Sequence, residues 1–379
     1  MNQKINYIVG YFYKTLKKEK YPDSFDKLLF KYDVIIHYLT WRCNSRCITC
    51  NCWKTPIREK KKEIWNTVNI RKFYATVKVK EVYLTGGEPT LIPNFKEIVK
   101  EIHKISGATI SFTTNSLATE KIKKDVLSLK ESSVPFLVSL SCNGFEKIHD
   151  FSRGVKGNYK KVLHLIDFFK NNKISFYLLY TLFPFNINET IKFVKYWKER
   201  NINVCIGIGR TDERYKINTS YKKYVIFNKK DYLLMEKVLL NLSNIFPEYK
   251  PQYYLIKRIN EKSRHFPCFG LSNRLVISPY GEVYPCDGLP KTLYLGNLKD
   301  VTFDFNQFVK VNKTKLENVY NIIKNKKCQP CMYVCDLLEG ISRSLSRRDK
   351  LKIASSLVTR KIRKAIKLKI RNIKLLPLF

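Results

Sequence analysis

The chain has 379 residues, 44% of them hydrophobic, and 71 Lys and Arg against 32 Asp and Glu give a net charge of +39 at pH 7. This length is sufficient for two domains with a substantial core. No run of about 20 apolar residues occurs, which excludes a helix that spans a bilayer. The charge excess indicates anionic partners, although Lys, Ile, Asn and Tyr abundant together are also typical of a genome-wide compositional bias.

The first chemical signal follows the basic segment 1–32 and the apolar run 33–40. There Cys43, Cys47 and Cys50 form a C-x-x-x-C-x-x-C motif. Three thiolates on a loop that leaves a buried strand can hold three irons of a cubic 4Fe–4S cluster, and the fourth iron then keeps an open coordination site. A zinc site with further ligands and unrelated buried thiols are the alternatives.

Apolar runs that predict strands alternate with segments that carry apolar residues at helical spacing. The predicted strands are 33–40, 80–85, 108–114, 135–142, 174–182 and 203–209. The predicted helices between them include Phe95–Ile105, Glu120–Leu129, Tyr159–Phe169 and Glu189–Lys198. Strand–helix alternation of this kind favours an α/β fold with a parallel sheet, whose functional groups lie at the carboxyl ends of the strands.

Glycine-rich and polar segments follow three of these predicted strands, and an Arg-Gly pair comes shortly after the last of them. The segments are Gly86-Gly87-Glu88-Pro89, Thr113-Thr114-Asn115, Ser141-Cys142-Asn143-Gly144 and Arg153-Gly154. Glycine lets a backbone approach a ligand closely, and its carbonyls can accept hydrogen bonds from an ammonium group. The guanidinium of Arg153 has the planar geometry that pairs with a carboxylate. Alone, Gly86-Gly87-Glu88-Pro89 would be interpreted as an ordinary turn and Arg153 as a solvated surface charge.

Taken together and in this order, the cysteine motif and these segments resemble those of the radical S-adenosylmethionine (SAM) enzymes, over most of residues 33–340. Three positions depart from the family pattern: Thr49 replaces an aromatic residue, Ser116 a glycine and Asn143 an aspartate. The resemblance implies a partial (β/α)6 TIM-type barrel over residues 33–210. The two glycines of the last predicted strand, Gly207 and Gly209, then either flank adenine or allow this strand to pack closely against its neighbour.

In that family the open iron chelates the amino and carboxylate groups of SAM. Reductive cleavage yields methionine and a 5′-deoxyadenosyl radical, which abstracts hydrogen from a substrate. The resemblance also implies an external electron donor such as flavodoxin or ferredoxin. It assigns SAM binding to Gly86, Gly87, Glu88, Pro89, Asn115, Ser141 and Arg153. No catalytic acid or base is assigned, and His149, which lies near Arg153, is predicted to be structural.

A second cysteine set follows the predicted helical bridge 211–262. Cys268 precedes a hairpin-like segment that ends at Cys286, and a C-x-x-C-x-x-x-C motif closes the set with Cys328, Cys331 and Cys335. The stretch 263–340 resembles the SPASM/twitch extension that holds auxiliary iron–sulfur clusters, and the short closing set favours the twitch type with one 4Fe–4S cluster. The predicted ligands are Cys268, Cys286, Cys328 and Cys331, with Cys335 as an alternate. Structural zinc is the competing hypothesis.

The tail 343–379 carries thirteen Lys or Arg residues and one acid, Asp349, with apolar residues at roughly helical spacing. A basic amphipathic helix favours peripheral contact with an anionic membrane over RNA binding, since no aromatic residue precedes Phe379 in the tail to stack on bases. No signal peptide is visible, and the cluster thiolates must be kept reduced, so we predict a cytoplasmic location. Peripheral attachment to the inner face of the membrane is the second option. The remaining cysteines, Cys52, Cys142 and Cys205, are interpreted as small apolar residues.

The predicted fold class is therefore α/β: a partial (β/α)6 barrel, a small cysteine-rich domain with a β-hairpin, and a basic C-terminal helix. The predicted function is a radical SAM oxidoreductase that acts on a small-molecule, lipid-linked or peptide substrate, by dehydrogenation of a sugar-like alcohol or by peptide modification. The auxiliary cluster takes up an electron. The alternative from a different class is an RNA-modifying or nucleic-acid-binding metalloprotein.

Overall fold

A computed structural model of the chain describes residues 22–28, 30–209, 221–260 and 268–325. Within these ranges the strands form one nine-stranded sheet in the order β6-β5-β4-β3-β2-β1-β7-β8-β9. The strands are β1 Lys31–Thr40, β2 Lys78–Gly86, β3 Thr109–Thr114, β4 Phe136–Ser141, β5 Phe176–Leu182, β6 Val204–Ile208, β7 Arg274–Ile277, β8 Glu282–Tyr284 and β9 Gly296–Asn297.

Helices connect successive strands of the first six. In chain order the α-helices of the described ranges are α1 Ile57–Lys60, α2 Thr67–Thr76, α3 Phe95–Ser106, α4 Thr119–Glu131, α5 Glu146–Arg153, α6 Asn158–Asn171, α7 Thr190–Glu199, α8 Lys222–Val225, α9 Lys229–Ile245, α10 Lys250–Asn260, α11 Phe305–Val311 and α12 Lys313–Lys324. The helices predicted from apolar spacing correspond to α3, α4, α6 and α7.

Strands β1 to β6 are hydrogen-bonded in chain order, and every pair among them is parallel. Each of the six strands predicted from apolar runs overlaps one of them. Because all six run in the same direction, their carboxyl ends lie along one edge of the sheet. The segments after Thr40, Gly86, Thr114 and Ser141 are thereby brought to one side of the molecule, and the predicted α/β fold with a parallel sheet is confirmed.

One face of the sheet carries the main core, which packs against the helices. In α3 the buried residues Phe95, Ile98, Val99 and Ile102 recur every three or four positions, so one stripe of the helix faces the strands. Complete burial of side chains of this size contributes about 1.5–3 kcal/mol each. The helices therefore fix the sheet from this side and leave the opposite face, here called the inner face, for other contacts.

The cysteine-rich extension continues the same sheet. Strand β7 pairs in parallel with β1, with Ile36 opposite Val276, and β8 and β9 follow in antiparallel order. On the inner face Ile36, Tyr38, Val276 and Tyr284 form a second, smaller buried cluster. The predicted hairpin is thus β7 and β8, and its first strand is hydrogen-bonded to the first strand of the barrel. The domain boundaries 33–210 and 263–340 remain predictions.

The described part of the bridge predicted over 211–262 consists of α8 to α10. Helix α9 begins with a capping box in which the side chains of Asn228 and Asp231 accept each other's backbone amides. At the free edge of β6 the carbonyl of Val204 accepts a hydrogen bond of 2.7 Å from the Tyr249 hydroxyl. The carbonyl of Ile206 accepts one from the Gln252 amide. The bridge therefore covers backbone groups that an open edge strand would expose.

Several predictions lie outside the described residues. They concern the ligands Cys328, Cys331 and Cys335, the basic tail 343–379 and most of the N-terminal segment 1–32. In the ranges that the structure does describe, no helix combines the length and the apolar character needed to cross a membrane.

Candidate active site

The three cysteines of the first motif lie on the segment 41–54, called here the cysteine loop, which follows β1 at the carboxyl edge of the sheet. Cys47 is buried, whereas Cys43 and Cys50 are partly exposed. The Ser45 hydroxyl lies 3.1 Å from Cys47 Sγ. The backbone amide of Cys52 donates to Cys50 Sγ over 3.4 Å. Polar groups of the loop itself therefore contact two of the three sulfur atoms.

The glycine pair after β2 fixes one side of the cysteine loop. The amide of Gly87 donates to the Thr40 carbonyl over 2.7 Å, and the amide of Glu88 donates to the Arg42 carbonyl over 2.7 Å. A Cβ atom on Gly86 would lie 2.2 Å from Thr40 O, and one on Gly87 would lie 2.3 Å from Arg42 O. Only glycine allows this approach, so the pair sets the position at which the loop leaves the sheet.

The end of α5 fixes the other side. The amide of Arg46 donates to the Arg153 carbonyl over 3.0 Å, and the amide of Ile48 donates to the Ser152 carbonyl over 3.1 Å. Gly154 has a φ of +63°, and a Cβ atom there would lie 2.3 Å from Arg46 O. The Arg-Gly pair that the sequence singled out is therefore a backbone clamp on the cysteine loop.

The Glu88 carboxylate is buried and already engaged. It accepts hydrogen bonds from the Thr90 hydroxyl and from the Asn115 amide, each 2.6 Å long. Burial raises the pKa of Glu88, and these hydrogen bonds oppose the rise. The carboxylate thus joins the segment after β2 to the segment after β3, which leaves the backbone around Gly86 to Glu88 as the part predicted to face SAM.

Asn115 reaches the cysteine loop directly. Its side-chain amide lies 2.8 Å from Asn44 Oδ1 and 3.8 Å from Cys43 Sγ. Its carbonyl accepts a hydrogen bond of 2.9 Å from the side chain of Asn158 at the start of α6. Asn158, which the sequence did not single out, therefore orients Asn115, and neither a motif nor a strand end marks its position.

The Arg153 side chain points at the cysteine loop. Its Nη1 donates to Cys47 Sγ over 3.5 Å, and its Nε is buried without a hydrogen-bond partner in the described residues. The ion pairs found in those residues include none to this guanidinium. A buried cation beside thiols requires a compensating anion. An iron–sulfur cluster with thiolate ligands, or a SAM carboxylate beside it, supplies that charge, so the residues present fit the implied cofactors.

His149 is completely buried and neutral. Its Nδ1 accepts from the Asn143 amide over 3.2 Å, and its Nε2 lies 3.0 Å from Asn158 Oδ1. Burial, and secondarily the charge of Arg153, lowers the pKa of His149 to about 3. Because both ring nitrogens are engaged within the fold, the geometry agrees with the structural role expected for this residue. Ser141 ends β4 beside this network and is also buried.

The Cys43 thiol is a poor metal ligand until a cationic centre is bound. Burial raises the pKa of Cys43 to about 12, and the charges of Cys47 and Glu88 add to the rise. In the described ranges no three His, Cys, Asp or Glu side chains converge on a single metal ion. A cubic cluster places fewer demands on convergence, because each thiolate binds a different iron.

At the inner face, the extension approaches the end of β1. Cys268 and Cys286 are both buried, and a Cβ atom on Gly270 would lie 2.9 Å from Pro285 O, so the two cysteine segments are in close backbone contact. The residue after Cys286 is Asp287, whose buried carboxyl accepts a hydrogen bond of 2.5 Å from Tyr38. The sequence analysis did not identify Asp287, although its position next to a predicted ligand was a usable signal.

The packing around the glycines of the last predicted barrel strand and around the three remaining cysteines agrees with the sequence-based expectation at some of these positions only. Gly209 allows close contact, since a Cβ atom there would lie 2.3 Å from the Phe183 ring, whereas at Gly207 the nearest atom would be 3.9 Å away. Cys52 and Cys142 are buried as expected of small apolar residues, but Cys205 is exposed.

Family models match two parts of the chain. The radical SAM superfamily model matches residues 38–208, and the SPASM model, described as an iron–sulfur cluster-binding domain, matches residues 268–335. Together these ranges span more than half of the chain. The chain belongs to the radical SAM superfamily and carries a C-terminal SPASM-type domain. Its cofactors are accordingly SAM, a 4Fe–4S cluster and auxiliary iron–sulfur. For the C-terminal cysteine set, the match to an iron–sulfur cluster-binding domain favours iron–sulfur over structural zinc.

Among curated relatives, the antilisterial bacteriocin subtilosin biosynthesis protein AlbA of Bacillus subtilis is 26% identical over 266 residues, which cover 69% of this chain and 56% of AlbA. A GTP 3′,8-cyclase of Lactiplantibacillus plantarum is 31% identical over 198 residues, which cover 49% of this chain and 55% of the cyclase. The chain thus spans about half the length of these relatives.

Solved structures share the fold at low sequence identity. The structure of anSMEcpe with bound AdoMet aligns with a TM-score of 0.55 and 22% identity, over 88% of this chain and 99% of that protein. Streptococcus suis SuiB bound to its precursor peptide SuiA aligns with a TM-score of 0.54 and 15% identity, over 85% of this chain and 77% of SuiB. These alignments confirm the α/β fold.

Proposed function

We propose that this protein is a radical SAM enzyme that modifies a peptide substrate, with Cys43, Cys47 and Cys50 as ligands of the SAM-binding 4Fe–4S cluster. The observation that carries the proposal is the double clamp on the cysteine loop, by Gly86-Gly87 on one side and Arg153-Gly154 on the other. Two loops that tolerate no Cβ atom hold three thiols at the carboxyl edge of a parallel sheet, where such folds bind ligands.

When bound, the cluster and SAM supply a one-electron cleavage that yields methionine and a 5′-deoxyadenosyl radical for hydrogen abstraction. The chain's own groups then have defined tasks. Arg153 supplies a buried positive charge, Asn115 donates hydrogen bonds toward the cluster ligands, and the Gly86-Gly87 backbone presents carbonyls to the SAM ammonium. Glu88, Pro89 and Ser141 complete the set of residues that we assign to SAM.

The peptide substrate is supported by two relatives. AlbA is a bacteriocin biosynthesis protein by name, and SuiB binds a precursor peptide. A small-molecule reaction is the second candidate, because the cyclase relative acts on GTP by name and has 31% identity. The inner face is compatible with either, since it combines the tyrosines Tyr38 and Tyr284 with the carboxyl of Asp287.

The auxiliary cluster and Asp287 have complementary roles in this proposal. Loss of a hydrogen atom leaves a substrate radical, and its oxidation to a closed-shell product releases one more electron and one proton. Cys268, Cys286, Cys328 and Cys331, with Cys335 as an alternate, would hold an auxiliary cluster able to accept this electron, and we assign the proton to Asp287. Asp287 directly follows one of these ligands and lies against the inner face at Tyr38.

Anaerobic reconstitution tests the core of the proposal. We expect about eight irons per chain, or more if the extension holds two auxiliary clusters, and 5′-deoxyadenosine from SAM with dithionite. The triple substitution of Cys43, Cys47 and Cys50 by Ala should remove about four irons and all product, while Cys205→Ala serves as a cysteine control with unchanged values. Product formation by the triple variant would refute the assignment.

The substrate class is tested separately, with synthetic peptides on one side and nucleotides and sugars on the other. We expect peptides to stimulate 5′-deoxyadenosine formation and to change mass, and Asp287→Asn to retain SAM cleavage but lose the peptide product. Stimulation by nucleotides or sugars alone would contradict a peptide substrate and favour the second candidate.

A further inference from the structure

We propose that the outer surface of the cysteine loop is the docking site for an acidic protein that carries one electron at a time, such as a flavodoxin or a ferredoxin. The inference rests on the proposed function, because reductive cleavage of SAM consumes an electron that must come from outside the chain. It adds the location of the contact and the residues that form it.

A cavity of about 580 Å³ opens on this surface. It is lined by Arg46, Ile48, Trp53, Lys54, Phe151 and Tyr221, among others. Two of these residues are cations, three are aromatic and none of the lining residues is acidic. Aromatic side chains and arginine are the residues enriched at protein interfaces and at their energetic hot spots.

Both cations lie close to the indole ring of Trp53. The guanidinium of Arg46 is 5.2 Å from the centre of the indole ring, and the ammonium of Lys54 is 4.9 Å from it. The indole N–H donates to the Cys47 carbonyl over 3.4 Å. One end of this side chain therefore contacts a predicted cluster ligand, and its flanks carry positive charge at the surface.

Phe151 adds an apolar contact at the rim. It lies on α5, is 41% exposed, and packs edge-on against Tyr224 at 5.2 Å and Phe185 at 6.0 Å. The next two residues of the chain are Ser152 and Arg153, whose carbonyls hold the cysteine loop. This aromatic side chain adds apolar area to the cationic surface, on the helix that clamps the loop.

The described residues that line this cavity carry a net positive charge, from Arg46 and Lys54. Asp150, the nearest acid on α5, accepts the backbone amides of Gly157 and Tyr159 and is thus committed to the helix connection. Arg58, just beyond the loop, has 85% of its side chain exposed, and its Nε forms an ion pair of 3.9 Å with Glu59, so it adds little net charge. The chain as a whole carries +39. A positive surface attracts an acidic partner and accelerates its association, with an effect that salt weakens.

Position distinguishes an electron carrier from other anionic partners. Cations beside exposed aromatic rings also suit single-stranded nucleic acid. However, Ile48 and Trp53 belong to the cysteine loop itself, so a protein seated in this cavity is separated from the predicted cluster only by the loop. The carrier is oxidised by one electron, the cluster is reduced by one electron, and no covalent bond changes in the carrier.

The test compares two matched double variants of the reconstituted full-length protein. Lys54→Glu with Phe151→Gln reverses one charge and removes one exposed apolar side chain at the proposed surface. Lys299→Glu with Val311→Gln makes the same changes elsewhere, at an exposed lysine and a 67% exposed valine on the surface of the extension. Binding of a purified acidic flavodoxin is followed by flavin fluorescence anisotropy at low and high salt, and 5′-deoxyadenosine formation is measured with reduced flavodoxin and with dithionite.

We expect the first variant to raise the Kd for flavodoxin about tenfold, which corresponds to ~1.4 kcal/mol, and to lower flavodoxin-driven product formation. Dithionite-driven formation should stay at the wild-type level, and the control variant should match the wild type throughout. Equal flavodoxin binding by both variants would overturn the proposal. In that case, weaker binding of a single-stranded RNA probe by the first variant would assign the surface to nucleic acid instead. If the wild type formed no 5′-deoxyadenosine with dithionite, the proposed function would be refuted instead.

Discussion

The hydroxyl of Tyr38 donates a hydrogen bond of 2.5 Å to Oδ1 of Asp287, across 249 positions of the chain. Tyr38 lies in β1, two residues before the end of the strand, and Asp287 follows the predicted auxiliary ligand Cys286. The bond therefore joins the start of the barrel to the iron–sulfur extension. Because both groups are buried, the position of Asp287 at the inner face depends on it.

Tyr38→Phe should lower the free energy of unfolding by about 1.5–3 kcal/mol, because it leaves a buried carboxyl without its hydroxyl donor. Tyr32→Phe is the matched control: the Tyr32 hydroxyl is also buried but has no hydrogen-bond partner in the described residues, so its removal should be neutral or stabilising. Urea denaturation of the cluster-free protein measures both. Equal effects of the two substitutions would contradict the prediction.

Gly87→Ala should prevent the cysteine loop from taking its position. The new Cβ would lie 2.3 Å from Arg42 O, and relief of such a contact costs about 1–3 kcal/mol and moves the loop. The measurement is iron bound per chain after reconstitution, which should fall. Gly107→Ala is the control, since φ there is +67° but no atom lies near the new Cβ. It should cost about 1–2 kcal/mol without loss of iron.

Arg153→Gln should weaken the stabilisation that cofactors confer. In the cluster-free protein the substitution removes a buried cation with an unpartnered Nε, so its effect on Tm should be small or favourable. After anaerobic reconstitution with SAM, the wild type should gain more in Tm than the variant, because bound ligands stabilise the folded state in proportion to their affinity. Arg153→Lys should recover part of the gain. An equal gain in all three proteins would exclude a role for this charge.

The two buried histidines should make stability fall with acidification. Burial lowers the pKa of His37 and of His149 to about 3, below the value near 6.5 of an unfolded chain. Between these values the unfolded state binds more protons, so stability is fully present above about pH 6.5 and is lost toward pH 3, by ~1.4 kcal/mol per pH unit for each histidine.

His149→Gln and His37→Gln should each reduce this slope by about one proton, and the double variant by about two, since sites without shared partners act additively. Urea denaturation midpoints between pH 4 and pH 7 give the slope. A double variant with the wild-type slope would show that the two imidazoles do not carry the linkage.

Much of the fold could be predicted because its strands are buried. The run before the cysteine loop, predicted as 33–40, is the strand Lys31–Thr40, and the run 108–114 is Thr109–Thr114. Strands buried on both faces are continuous apolar runs, and the intervening helices carry apolar stripes, so both signals are local. The pairing of β7 with β1 joins residues more than 200 positions apart and leaves no local signal.

The sequence by itself determined the chemistry available: three closely spaced thiols, a glycine pair and an Arg-Gly pair, in an order that indicates radical SAM chemistry. Only the tertiary structure decided what each group contacts. Gly86-Gly87 and Arg153-Gly154 clamp the cysteine loop through their backbones. The Glu88 carboxylate accepts hydrogen bonds from Thr90 and Asn115, and Asp287 accepts one from Tyr38. The physical reason is that residue type and local spacing follow from the chain alone, whereas hydrogen bonds between distant segments depend on the register and packing of the sheet that brings them together.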